Sequence, residues 1–424
     1  MSEPSPDSSR RDFLAGKSLK NEVEAAAAQV GDALVEGTNE ASLDQTAPAS
    51  GPTVRLGTRA MACDFHVMLN AGEDSTLETW HASDALNLVH LLEDQMTVYR
   101  ETSDLLEINR LAVNGAAHVE ERLFELLREA RRISQLTGGA FDPTSQPVVS
   151  LWRKCREDLR VPEEAELAAV LDRVGMEHVD FGEAEADATT GSGWGHGRKA
   201  PPHPDPLPLK GERGLLRAQT VRFAKPGVEL NLNGIGKGYA LDRAAELLAG
   251  AESGYEIKNW LLHGGHSSVL AQGEHFLDGP AQKESPGGWP VGVRNPLFPD
   301  QRLATIVLRD EAMGTSGSGV QFFRVGGKRY GHVLDPRTGW PVDHLLSVTV
   351  LADSAGWKYP AAAADALATA FFVMGLEKAA EFCQNRSDVR ALLIPPPRRG
   401  RMLEPVVCGI PDEDLFFTPD TSSP

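Results

Sequence analysis

Residues 361–374 read Ala-Ala-Ala-Ala-Asp-Ala-Leu-Ala-Thr-Ala-Phe-Phe-Val-Met, a helix-forming run that is apolar nearly all round. Such a helix lies in the core of a protein, and Pro360 suits its first position. Asp365 and Thr369 are four residues apart, so both side chains lie on one helical face. Because a buried carboxylate is costly without a partner, we expect hydrogen-bond donors, a cation or a metal ion beside it. An Asp that caps or forms a salt bridge inside a core helix is the alternative to an oxygen-ligand site for a hard cation.

The composition is that of a globular protein with one large domain or two ordinary ones. The chain has 424 residues, of which 41% are hydrophobic and 24% charged. Its net charge of -18 disfavours a general nucleic-acid binder, although a local pocket or a metal can still hold a nucleotide. The four cysteines form no C-x-x-C pair, which argues against a zinc cluster. No apolar run reaches the ~18 residues that a transmembrane helix needs.

The N-terminal region, residues 1–52, is predicted to be a disordered tail because it is rich in Ser, Ala, Glu and Pro. Residues 9–14, Ser-Arg-Arg-Asp-Phe-Leu, resemble a twin-arginine export signal. Such a signal also needs an apolar stretch, and charged residues follow here instead. We therefore expect a cytoplasmic protein, with export to the periplasm as the alternative.

Two other segments are predicted to lie outside the folded core. Residues 183–217 are dense in Gly and Pro and are expected to be a disordered insertion. Residues 412–424 are expected to be a C-terminal tail. The remaining chain, residues 53–182 together with 218–411, is then predicted to be one folded domain.

The apolar patterns within this domain predict both helices and short strands. Because hairpin-like strands and helices alternate without regular βαβ spacing, we expect an α+β fold. The predicted helices cover residues 77–98, 119–136 and 360–384, with another that begins near Tyr239. The predicted strands include residues 65–69, 221–223, 228–232, 303–308, 320–325 and 345–351.

A glycine-rich turn, residues 231–239 (Asn-Leu-Asn-Gly-Ile-Gly-Lys-Gly-Tyr), joins a predicted strand to a helix. Its three glycines let backbone amides approach a ligand, and a helix N-terminus favours phosphate. Lys237 adds a compact positive charge. The segment matches neither the P-loop nor the dinucleotide-binding fingerprint, so a tight structural turn is the alternative interpretation.

Two polar turns follow further along the chain. In residues 263–268, His-Gly-Gly-His-Ser-Ser, a metal pair at His263 and His266 is conceivable, but a histidine that is hydrogen-bonded in a turn or touches a base or ribose is favoured. Residues 315–317, Thr-Ser-Gly, offer hydroxyls and amides to phosphate or ribose oxygens. An ordinary hairpin start explains them equally well.

Residues 330–339 place an imidazole, a carboxylate and a guanidinium within six positions. His332 is a candidate general base because histidine titrates near neutral pH. Arg337 is a candidate phosphate clamp, and pairing with Asp335 is the alternative.

Taken in order, these motifs are similar to those of one known family. Any single segment is weak, but the whole series resembles the ApbE family of FAD:protein FMN transferases. The matching segments are residues 93–99, 103–109, 137–144, 234–239, 264–265, 289–296, 315–317, 332–339 and 364–370.

The resemblance implies a single ApbE-like (T-fold-like) α+β catalytic domain with antiparallel sheets, packed helices and FAD between two lobes. It implies a Mg²⁺ ion held by Asp365, Thr369 and the backbone carbonyl of Gly236. It also implies that Tyr99 meets the flavin. The other FAD contacts expected on this basis are Asn233, Gly234, Lys237, Gly264, Gly265, Thr315, Ser316 and Arg337.

The reaction implied by the resemblance is transfer of FMN to a Thr or Ser hydroxyl of an acceptor flavoprotein subunit of the redox-pump type, with release of AMP. His332, Asp365 and Lys237 are the expected catalytic residues, with His332 or a nearby carboxylate taking the hydroxyl proton. The alternatives are a metal-dependent FAD pyrophosphatase and a non-catalytic FAD-binding module. The chain departs from the family at Asn231 and His266, where Asp is usual.

Overall fold

The computed structural model describes residues 53–70, 75–185, 217–251, 254–275, 287–318, 322–397 and 402–418. The predicted tail at residues 1–52 lies outside them. The strands are β1 (Thr53–Ala60), β2 (Cys63–Asn70), β3 (Ala117–His118), β4 (Val179–Glu185), β5 (Arg217–Phe223), β6 (Trp260–Gly264), β7 (Ser268–Gln272), β8 (Trp289–Arg294), β9 (Arg302–Leu308), β10 (Glu311–Gly317), β11 (Phe322–Val325), β12 (Lys328–Gly331), β13 (Ser347–Asp353), β14 (Val389–Ile394), β15 (Val406–Cys408) and β16 (Leu415–Phe417). The α-helices are α1 (Ser75–Met96), α2 (Asp104–Leu111), α3 (Glu121–Leu136), α4 (Gln146–Glu157), α5 (Glu164–Leu171), α6 (Gly236–Leu248), α7 (Pro360–Met374) and α8 (Leu376–Gln384).

The predicted α+β class is confirmed by the sheets. The largest sheet has eight strands in the order β1-β2-β6-β7-β10-β13-β14-β15, and every neighbouring pair in it is antiparallel. Smaller antiparallel sheets are formed by β16-β9-β8, by β3-β5-β4 and by the hairpin β11-β12. None of the helices in the described parts of the chain has the length and apolarity needed to cross a bilayer.

Two apolar cores hold these layers together. The larger core joins helices α1, α3, α6 and α7 to the eight-stranded sheet. The smaller core joins that sheet to the three strands β8, β9 and β16, with Leu261 and Val269 packed against Trp289 and Ile306. The large sheet therefore packs against helices through the larger core and against the three-stranded sheet through the smaller core.

Helix α7 is buried almost all round, as its sequence predicts. Each of its residues from Pro360 to Val373 is buried except Thr369, which is partly exposed. The prediction of one helix over residues 360–384 is wrong, because Gly375 adopts a φ of 81° and ends α7 before α8 begins. With a ψ of 176°, this backbone conformation is open essentially only to glycine and interrupts the helix.

Helices α6 and α7 touch through their backbones. A Cβ atom on Gly238 would lie only 2.0 Å from the carbonyl oxygen of Ala361. A Cβ on Gly314 of β10 would likewise lie 2.4 Å from the carbonyl group of Ala364. Helix α7 thus contacts two glycines, at which no larger residue fits without a backbone shift.

The same two helices are joined by reciprocal hydrogen bonds, in which a carboxylate of each helix accepts from the first turn of the other. Asp242 of α6 accepts hydrogen bonds from the backbone N–H groups of Ala361 (2.9 Å) and Ala362 (2.8 Å) in the first turn of α7. Asp365 of α7 in turn accepts from the N–H of Gly238 (2.8 Å) in the first turn of α6. Each carboxylate accepts from N–H groups of the other helix that have no acceptor within that helix. It also lies at the N-terminus of that other helix, where the helix dipole is positive. We call this arrangement the carboxylate exchange.

Three segment predictions require correction. Residues 183–185 pair with residues 217–219 in the β4-β5 hairpin, so the insertion begins and ends inside a hairpin; residues 186–216 lie outside the described residues. The expected tail at 412–424 contains β16, whose Phe416 pairs with Thr305 of β9, and only 419–424 lie outside. Residues 228–232 form no strand, only an isolated bridge at Glu229. In the first two cases the pairing strand is distant in sequence, which local composition does not reveal; in the third, an apolar run lacks a strand to pair with, among the described residues, beyond the bridge from Glu229 to Ser145.

We expect Gly238→Ala to lower the free energy of unfolding by about 1–3 kcal/mol, because the added methyl group forces α6 away from α7. Chemical denaturation measured by circular dichroism checks this. Gly115→Ala is the matched control, since nothing lies within 4 Å of a Cβ there. Equal stability of the two variants would contradict the close packing of the helices.

We expect Asp242→Ala to cost about 2–4 kcal/mol, because it leaves two buried N–H groups at the start of α7 without an acceptor. Asp242→Asn should recover part of this loss, since one oxygen remains. Thermal unfolding of both variants, with exposed Asp180→Ala as control, measures the effect. If the Ala and Asn variants were as stable as the control, the carboxylate exchange would not hold the helices.

Candidate functional site

Asp365 has several donors and a cation around it, as expected for a buried carboxylate. Ser268 donates through Oγ to Oδ1 at 2.7 Å, the Gly238 N–H donates to Oδ2, and Nζ of Lys237 lies 4.0 Å from Oδ2. Burial raises the pKa of Asp365, and the Lys237 ammonium opposes that rise. Ser268 was not predicted from the sequence, in which its only signal is its place three residues after Gly265.

Thr369 joins helix α7 to strand β10, and its hydroxyl also donates to the backbone carbonyl of Asp365 at 3.3 Å. Its Oγ1 lies 3.1 Å from Oγ of Ser316, and a Cβ on Gly234 would lie 3.7 Å from the same Oγ1. Thr315, next to Ser316, donates its N–H to the carbonyl of Ser267 at 2.7 Å. The structure therefore brings together the predicted residues of α7, the glycine-rich turn and β10.

The glycine-rich turn is shaped by Asn231. Its Oδ1 accepts the N–H of Asn233 at 2.8 Å, its own N–H donates to the carbonyl of Pro143, and its Nδ2 donates to Oε1 of Gln146. An aspartate could accept but not donate in this arrangement. The departure from the family at this position thus has a structural role, which is to tie the turn to α4.

Tyr99 lies beside the same turn. Nδ2 of Asn233 is 3.4 Å from its hydroxyl, and 69% of Tyr99 is exposed. Gly265 has a φ of 63°, and a Cβ there would lie 3.0 Å from Cβ of Cys63. Gly264, within β6, packs against the ring of Phe65. The exposed ring of Tyr99 and the closely packed Gly264 and Gly265 therefore lie next to the segments that surround Asp365.

The histidines of the 263–268 turn lie near arginine side chains. Nδ1 of His266 is 3.3 Å from a guanidinium nitrogen of Arg294. Burial and the neighbouring positive groups lower the pKa of His263 to about 4. Among the residues that the structure describes, no three His, Cys, Asp or Glu side chains are grouped to hold a metal.

His332 and Arg337 occupy separate positions. His332 is exposed and follows β12 directly, and its role as a base stays a prediction. Arg337 forms two hydrogen bonds with Asp335, from Nε at 2.8 Å and from Nη2 at 2.9 Å. It lines a cavity of about 480 Å³ with Asp142 and Glu177. Pairing with Asp335, the alternative left open by the sequence, is what the structure contains.

The atoms around Asp365 suit a hard cation. They comprise one carboxylate and the hydroxyls of Thr369 and Ser316. Magnesium takes few protein oxygens, usually one or two carboxylates, and completes its shell with phosphate and water. The donor set therefore fits Mg²⁺ better than zinc, which prefers nitrogen and sulfur ligands.

Comparison with known proteins gives the same result as the motifs. The sequence model of the ApbE family matches residues 61–393. The chain is 29% identical, over 366 residues, to an FAD:protein FMN transferase of Treponema pallidum, which covers 86% of this chain and 87% of the relative.

Two solved structures are similar in fold. The ApbE protein of Thermotoga maritima has a TM-score of 0.62 and 27% identity, and the match covers 83% of this chain and 96% of that one. The apo flavinyl transferase ApbE of Pseudomonas stutzeri has a TM-score of 0.63 at 22% identity and covers 87% and 99% of the two chains. The resemblance inferred from the sequence is confirmed: the chain belongs to the ApbE family.

Proposed function

We propose that this protein transfers FMN from FAD to a Thr or Ser hydroxyl of an acceptor protein, with release of AMP, and that it does so with Mg²⁺. The observation that carries the proposal is the meeting of Asp365, Lys237, Thr369 and Ser316 at the N-terminus of α6. The relative from Treponema pallidum, which bears the name FAD:protein FMN transferase, supports it.

The N-terminus of α6 is suited to the diphosphate of FAD. The glycines of the preceding turn permit close approach of a ligand to the backbone, and the helix end favours negative charge. Lys237 adds a full positive charge. Tyr99, exposed beside the turn, offers its ring to the flavin.

The residues present fit Mg²⁺, which would be held by Asp365, Thr369 and the backbone carbonyl of Gly236. When bound, it would neutralise charge on the diphosphate. Independently of the metal, Lys237 stabilises negative charge that develops on the phosphate oxygens as the bond to the leaving group breaks. Ser268 and the Gly238 N–H keep the Asp365 carboxylate fixed in orientation.

The transfer exchanges one phosphorus–oxygen bond for another. The acceptor hydroxyl oxygen attacks the phosphorus of the FMN half, and the bond from that phosphorus to the bridging oxygen breaks. AMP leaves with the electron pair of that bond, and His332 takes the hydroxyl proton. The exposed position of His332 allows a hydroxyl of another protein to reach it.

Two competing functions use the same site. In a pyrophosphatase, water replaces the acceptor hydroxyl and FMN is released. In a binding module, FAD stays intact. We propose that Asn231 leaves catalysis intact, because its side chain is committed to the turn and to Gln146.

We expect the protein, incubated with FAD, Mg²⁺ and a Thr-containing acceptor domain, to make that domain fluorescent in a denaturing gel, because a phosphoester survives denaturation. The same domain with its Thr replaced by Val is the control. Free FMN without a labelled domain would indicate hydrolysis. Bound, intact FAD would indicate a binding module, and either result would contradict transfer.

We expect Asp365→Asn to reduce metal-dependent turnover of FAD by about 100-fold or more, since it removes the single carboxylate of the site. The amide can still accept from Gly238 and donate to Ser268, so the fold should persist. Turnover is measured against Mg²⁺ concentration, with exposed Asp180→Asn as the matched control. Turnover equal to that of the control would refute the role of Asp365.

A further inference from the structure

The hairpin β11-β12 is connected at both ends to residues of the candidate site. Strand β10 ends at Gly317, directly after Ser316, and β11 begins at Phe322. Strand β12 ends at Gly331, and His332 is the next residue. A molecule that brings a hydroxyl to His332 therefore comes close to this hairpin.

One face of the hairpin is fixed to the body of the protein. Phe323 and Tyr330 are opposite each other in the ladder. Both rings contact the buried ring of Trp152, with centroid distances of 5.9 and 5.6 Å. Trp152 donates through Nε1 to the carbonyl of Gly339 at 2.6 Å. The hairpin thus has a defined position beside the turn that follows His332.

The other face carries Phe322, Arg324 and Arg329, which we call the arginine face. Arg324 and Arg329 are directly opposite in the ladder, so their side chains lie on the same side. Their guanidinium carbons lie 5.8 and 4.1 Å from the centroid of the Phe322 ring. Both arginines are exposed.

Like charges directly opposite each other destabilise a strand pair. Burial, and after it the charge of Arg324, lowers the pKa of Arg329, whereas the carboxylate of Asp343 raises it. The pair is also unusual for its setting, since the chain as a whole carries a net charge of -18. Two exposed guanidiniums on one face of the hairpin form a local positive surface, which suits a negatively charged partner.

Resting on the function proposed above, we infer that the arginine face docks the acceptor protein by binding an extended acidic segment next to the acceptor hydroxyl. The two guanidiniums pair with carboxylates, and the partly buried ring of Phe322 gives an apolar contact between them. Exposed charge pairs of this kind contribute modestly to affinity but strongly to the choice of partner.

The inference is tested with rhodamine-labelled 15-residue peptides that contain one central Thr flanked either by Asp and Glu or by Asn and Gln. Binding to the FAD-loaded full chain is measured by fluorescence anisotropy. We expect the native protein to prefer the acidic peptide. We expect R324Q/R329Q to weaken acidic-peptide binding by about three- to thirtyfold, as the loss of two exposed charge pairs implies.

The matched control is R110Q/R222Q, which removes two exposed arginines from α2 and β5 and should leave peptide binding unchanged. Charge reversal in R324E/R329E should shift the preference to a peptide flanked by Lys. In the transfer assay, R324Q/R329Q should raise the KM for the acceptor domain while FAD affinity, followed by flavin fluorescence, stays constant.

Equal or absent binding of the acidic and neutral peptides by the native protein would overturn the inference, as would equal binding of a 15-nucleotide single-stranded DNA. Native behaviour of R324Q/R329Q would also overturn it. A failed proposed function gives a different result: acceptor labelling is then absent in native protein, control and variant alike, whatever the peptides show.

Discussion

The carboxylate exchange between α6 and α7 is the interaction on which the rest of the site depends. Asp242 accepts two N–H groups at the start of α7, and Asp365 accepts one at the start of α6. The exchange requires the helices to touch, which Gly238 permits by having no side chain. Because the first turn of each helix donates to a carboxylate of the other, the orientation of Asp365 is fixed relative to the N-terminus of α6 before any ligand binds. Preorganisation of this kind lowers the cost of binding a charged ligand.

The arrangement also explains how a protein of high negative charge can bind a diphosphate. The local field at the site comes from Lys237 and from the N-terminus of α6, and not from the net charge. The Asp365 carboxylate is compensated by Ser268, Gly238 and Lys237, so it need not repel an anion. The hairpin beside the site adds two further positive charges at Arg324 and Arg329. Lys237 and these two arginines thus place positive charge where the ligands are proposed to bind, in a chain whose net charge is -18.

The sequence predicted the features that depend on local pattern. The burial of α7, the shared face of Asp365 and Thr369, and the α+β class followed from periodicity and composition. Ser268 and Asp242 were missed because their partners are 97 and 119 residues away in the chain. The β4-β5 hairpin was missed because its strands are separated by residues 186–216, and β16 because its partner is β9. Gly375 was a visible signal for the end of α7, but the apolar pattern on both sides concealed it.

The most direct test of the account is a crystal structure of the protein with FAD and Mn²⁺ in place of Mg²⁺, with diffraction recorded at the manganese edge. The account predicts an anomalous peak in contact with the oxygens of Asp365 and Thr369 and with the FAD diphosphate, while Asp242 remains bonded to α7. A manganese ion bound elsewhere, or a diphosphate remote from the N-terminus of α6, would contradict it.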